Sequence, residues 1–209
     1  MCFSENVSLA TYCFGLISCL LCWTINQKNY KIVAIFFSFV ISMQLIEFLL
    51  WRHQICDSYN KFISVLGMLL NHFQPFMLLL TILWLKNNEI ASSAKYIMSA
   101  ILAVYIPVIL LYSIQYFKTD MCTIKSELHK HLVWKWNTMK YYKLTYAIFL
   151  ITVTVISYIG INTTTSLVIF FTYLLSHMIY RHQLVVGTMW CFFAAFIPII
   201  YYLYAKLGK

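Results

Sequence analysis

The sequence predicts an all-α fold, an integral membrane bundle of about seven helices with short loops and one longer loop rich in tryptophan and lysine. Three observations predict it. Of 209 residues, 62% are hydrophobic and 10% are charged, against roughly 45–50% and 25% in an ordinary soluble domain. Seven apolar runs recur along the chain, most of them near the ~20 residues a helix needs to cross a bilayer. Only five glycines and three prolines interrupt them. The +9 net charge resides between the runs, where lysine anchors to lipid headgroups, so membrane lipids are the expected partner and nucleic acid is not.

The runs are Val7–Ile25, Ile32–Trp51, Phe62–Leu85, Tyr96–Phe117, Leu144–Gly160, Ser166–Tyr180 and Val185–Ala205, together one domain over residues 1–209. The fifth and sixth are shorter, and the Ile161–Thr165 linker between them is tight, so a re-entrant pair is the alternative there. The N-terminal segment has no basic stretch before its apolar run, and the first run reads as a retained helix rather than a cleaved leader. Connections are short except Lys118–Lys143, which carries six lysines, two histidines and two tryptophans. The charges around the first run, Glu5 before it and Lys28 and Lys31 after it, favour an outside N-terminus. The whole-chain count opposes this, with nine Lys/Arg on the N-terminal side and six on the other, but six of the nine lie in the one long loop. We take an outside N-terminus as the expectation.

Seven crossings bring the N-terminus, Arg52–Lys61, Lys118–Lys143 and Arg181–Leu184 to one face, and the polar residues gather there. Gln44, Glu47 and Trp51 are three and four apart and form one helical stripe. Glu47 lies roughly 6 Å inside the end of its helix at 1.5 Å per residue. His177 and Arg181 share the end of the sixth run, and Trp190 and Cys191 open the seventh. Asn71, His72 and Gln74 lie deeper, roughly 14 Å down the third helix, beside Pro75, which frees a carbonyl in mid-helix. Each feature has two readings. Glu47 is a pocket acid, or it snorkels and pairs with Arg52 or Arg181. Trp51 is an interfacial anchor or a ligand wall. Arg181 with His177 is a headgroup pair or part of a site. Asn71 and Gln74 tie helices together or line a polar cavity. Pro107 and Pro198 read as simple kinks.

Cys2, Cys56 and Cys122 map to the same face. If that face is extracytoplasmic, Cys56–Cys122 is the first choice of disulfide; if it is cytosolic, the thiols stay reduced. The spacing of Cys122, His129 and His131 matches no zinc pattern, so no metal is expected. His72 and His177 lie at different depths, so no haem is expected either, and no cofactor is assigned. The seventh run holds no lysine for a retinal Schiff base, and both aspartates, Asp57 and Asp120, lie in loops rather than in an intramembrane metal cluster. Receptor signatures, the sugar-carrier PQ pair and a voltage-sensing arginine repeat are missing.

Several short motifs carry a resemblance: Met1-Cys2-Phe3-Ser4, Met43-Gln44, Glu47, Trp51, Gln74-Pro75, Cys122, His129, His131-Leu132, Trp134, Trp136, Gly187 and Trp190-Cys191. Together they resemble an uncharacterised domain-of-unknown-function family of polytopic membrane proteins found in giant DNA viruses, protists and other microbes. Phe3 stands where that pattern more often has tryptophan. The resemblance implies a polytopic membrane protein, of viral kind given the AT-rich bias of thirteen lysines to two arginines, and no particular activity. The motif positions suggest a lid in which His131, Trp134 and Trp136 cover a mouth above Glu47. The expected function is binding or transport of a small molecule, lipid or ion through a semi-polar cavity open to the N-terminal face. The alternatives are a membrane-embedded enzyme using Glu47 with His131 or His177 as acid and base, and a structural membrane protein.

Overall fold

Helix α2 (Lys28–Arg52) runs through the middle of the molecule. Its residues Ile32, Val33, Phe36, Phe37, Val40 and Ile41 are fully buried, because this helix is apolar on every side and touches α1 (Glu5–Trp23), α3 (Ser58–Lys86), α7 (Val186–Ala194) and α8 (Ile197–Leu207). The remaining helices are α4 (Ser92–Tyr116), α5 (Tyr142–Gly160) and α6 (Thr163–Tyr180). This computed structural model describes residues 4–127, 131–180 and 186–207. Six helical segments are long and apolar enough to cross a membrane, counting Met189–Leu207 as one, and Thr163–Ile179 is a shorter apolar helix. About 81% of the described residues are helical.

Local chemistry sets the helix starts. Ser4 accepts the Val7 amide to cap α1, and Asp57 accepts the Asn60 amide at 3.0 Å to cap α3. The Asn60 amide, followed by the His53 ring, holds the Asp57 carboxyl below the usual carboxylate range. The two ends of the bundle are tied separately. At one end Arg52 pairs with Glu5 at 3.4 Å; at the other Lys28 meets Glu89, and Lys86 reaches Asn29 and the Gly160 carbonyl.

Two sequence expectations need correction. The seventh run is two helices end to end, because Pro198 supplies no amide to the Ala194 carbonyl. Ala195 and Phe196 form tight turns onto Phe192 and Phe193, and the helix restarts at Ile197. The long loop is also more ordered than a plain connection. Ile124–Lys125 (β1) pairs antiparallel with Leu132–Val133 (β2), and a 3-10 turn follows at Lys135–Thr138. By contrast, α3 continues through Pro75.

Candidate functional site

The long loop enters the bundle at the end that holds the N-terminus. Cys56 and Cys122 are joined by a disulfide with Cα atoms 5.6 Å apart. Behind it Asn60, fully buried, donates to the carbonyls of His53 and Thr123, both at 3.0 Å, and accepts the Thr123 amide at 2.9 Å. Gln54 accepts the Lys125 amide at 2.7 Å. A buried amide that pairs three backbone groups is costly to replace, since each group left unpaired loses its hydration without compensation. Cys56, Asp120 and Cys122 would suit a metal by proximity alone, but the two sulfurs are joined to each other and cannot serve as thiolate ligands.

Beyond this tie the loop plunges inward. Trp134 and Trp136 are 0% and 1% exposed, with ring centroids 4.2 Å apart. Gly67 of α3 makes room for Trp134: a Cβ there would lie 2.8 Å from the indole ring. The Trp136 carbonyl accepts the Tyr112 hydroxyl. Its indole Nε1 donates to Tyr146 at 3.3 Å, and Tyr146 donates to Asn137 Oδ1 at 2.9 Å. Gly187 lets α7 close over that tyrosine, because a Cβ there would lie 2.5 Å from the Tyr146 hydroxyl. The indoles therefore fill the end of the bundle instead of covering a mouth from outside.

Under the indoles lies the polar centre. Glu47 is fully buried, deeper in effect than its place one turn from the helix end suggests. Arg52, one of its two sequence-predicted partners, turns outward to Glu5 and the Phe48 ring. The other proposed partner, Arg181, lies outside the described residues, as does His129. Gln44 is 1% and Gln74 0% exposed. Among the described residues Gln44 Nε2 and both polar atoms of the Gln74 side chain have no nitrogen or oxygen partner. Cys191 of α7 sits beside Gln74 and within electrostatic range of Glu47. Asn71, beside Tyr146, contacts His72 Nδ1 at 3.4 Å. The His72 ring packs on Tyr112 and Trp136, and its backbone carbonyl accepts the Tyr105 hydroxyl at 2.9 Å.

The remaining candidates lie around this centre. Trp51 is half-buried, and its Nε1 has no hydrogen-bond partner among the described residues. Trp190 is buried and donates to Thr172 at 3.2 Å. His131 is half-buried at the start of β2, where its carbonyl accepts the Ser126 amide. His177 is half-buried in the last turn of α6, where no hydrogen bond or ion pair to a described residue is formed. Sequence reasoning missed Asn60, Tyr112, Asn137 and Tyr146, which are the groups that anchor the loop. A buried asparagine four residues after Cys56 was the one local signal.

Compared with known protein families, curated proteins and solved structures, the chain matches none.

Proposed function

We propose that this chain is a multi-pass membrane protein that holds a small polar molecule or ion in the centre between α2, α3 and α7. In this reading α1 to α6 cross singly and α7 with α8 forms the seventh crossing. The disulfide-bearing end faces an oxidising compartment, because disulfides persist there and not in a reducing cytosol, and this puts the N-terminus outside. Glu47 supplies charge or exchanges a proton. Asn71 and Gln74 line the path.

One observation carries this reading: Gln74, wholly buried, finds no nitrogen or oxygen partner for either end of its amide among the described residues, and has beside it the weakly bonding Cys191 thiol. Such a group costs about 1–3 kcal/mol unless a partner fills the gap, and native interiors rarely leave one. A bound molecule, ion or ordered water that both donates and accepts would satisfy it, with the Gln44 amide converging from α2.

Gln74→Leu tests the reading by an inversion. Purified gently from its own membrane, the wild type should melt above the variant, because only the wild type retains its ligand. After exhaustive dialysis in detergent the order should reverse, since leucine removes an unpaired amide at similar volume. A variant that melts higher under both conditions would show that the centre is only a structural defect in the packing.

A further inference from the structure

At the opposite end of the bundle, a cavity of about 340 Å³ opens between the starts of α2 and α6 and the side of α8, at the low end of the usual ~300–1,000 Å³ for ligand pockets. We propose that it binds the phosphate group of an anionic amphiphile, a chemistry unrelated to the central site.

The hydrogen-bond inventory of its walls points to an acceptor ligand. The acceptors of its two lining asparagines are already committed. Asn162 Oδ1 accepts the Thr165 amide at 2.8 Å and the Thr165 hydroxyl at 2.9 Å, and Tyr201 donates to that hydroxyl at 2.8 Å. This chain fixes the amide and leaves Asn162 Nδ2 as its one uncommitted polar atom. Asn29 Oδ1 is likewise taken by Lys86 at 3.0 Å. The hydroxyls of Tyr30, Thr164 and Tyr204 and the side-chain amide of Gln27 line the same space and make no hydrogen bond to the described residues. Each of these groups can donate to a ligand, and Asn162 Nδ2 can only donate.

The surrounding charge has the matching sign. Glu89, the nearby acid, is paired with Lys28. Lys86 forms no ion pair among the described residues and stands directly behind Asn29. Lys31 reaches the Asn26 amide oxygen and the face of Trp23, and forms no ion pair among the described residues. Val168 and Ile200 supply an apolar wall beside the donors, which suits the first carbons of an acyl chain below its headgroup. Phosphate oxygens take several donors at once and benefit from a nearby ammonium, so a phosphate ester on a short apolar stem fits both halves of the cavity.

The full-length protein in detergent tests this through the rise of its melting temperature on titration with dihexanoylphosphatidic acid, dihexanoylglycerol or inorganic phosphate. Dihexanoylphosphatidic acid should bind at least about tenfold more tightly than dihexanoylglycerol, the worth of one or two charge-assisted bonds. Asn162→Asp keeps the helix cap, places a carboxylate where the donor was, and should erase that difference. Tyr30→Phe should weaken binding about threefold to tenfold with the fold unchanged. Inorganic phosphate competing as well as the lipid would identify a free phosphate as the source; failure to compete would identify the lipid headgroup. Equal binding of the two dihexanoyl compounds, or a full preference surviving in a folded Asn162→Asp, would overturn the proposal.

Discussion

Trp136→Ala should cost about 3–5 kcal/mol, the range for a fully buried aromatic reduced to alanine. The side chain is 1% exposed. It packs edge-on against Tyr116 with centroids 5.7 Å apart and lies tilted against Trp134 at 4.2 Å, and its truncation also removes the indole N–H that the Tyr146 hydroxyl accepts. Thermal unfolding in one detergent measures this directly. Trp84→Ala is the control: Trp84 is 72% exposed on the outside of α3, so its loss should stay within about 0.5 kcal/mol. Equal effects from the two variants would mean that the long loop is surface dressing rather than part of the core.

The second large effect belongs to the disulfide. Cys56→Ser with Cys122→Ser removes a cross-link between positions 66 apart, which should destabilise the protein by about 2–4 kcal/mol, mainly by freeing the unfolded chain. The same bond reports orientation. A membrane-impermeant maleimide added outside intact cells should leave Cys56 and Cys122 untouched until an impermeant phosphine reductant is added, and should then label both. Labelling of these two thiols without reduction would place this end in a reducing compartment.

The two effects concern contacts that a linear reading of the chain sees poorly. The stripe of Gln44, Glu47 and Trp51 was legible, because spacings of three and four fix a helical face whatever surrounds it. The depth of Glu47 was not. Its neighbour Cys191 comes from α7, far away in sequence. Asn60 failed to stand out for the same reason, since its partner Thr123 is 63 residues on. The helix runs were clear from hydropathy and length. The break before Pro198 was read as a bend, because an apolar run on both sides of a proline gives no sign of where the hydrogen-bond ladder stops. The two-residue strands of the loop are too short to carry a period of two. Gly67 and Gly187 each admit one particular ring from another segment, and no property of a lone glycine names that ring.

Glu47 and Gln44 of α2 and Gln74 of α3 are all buried, with Cys191 of α7 beside Gln74 and within electrostatic range of Glu47. The account's central claim is that this centre holds a small polar molecule or ion, and native mass spectrometry of the protein released from its own membrane tests it most directly. The wild type should carry a discrete non-covalent mass that disappears from both Glu47→Gln and Gln74→Leu, while all three proteins keep the same bound phospholipids. A wild type that flies at the mass of the bare chain and phospholipids alone, indistinguishable from the two variants, would contradict it.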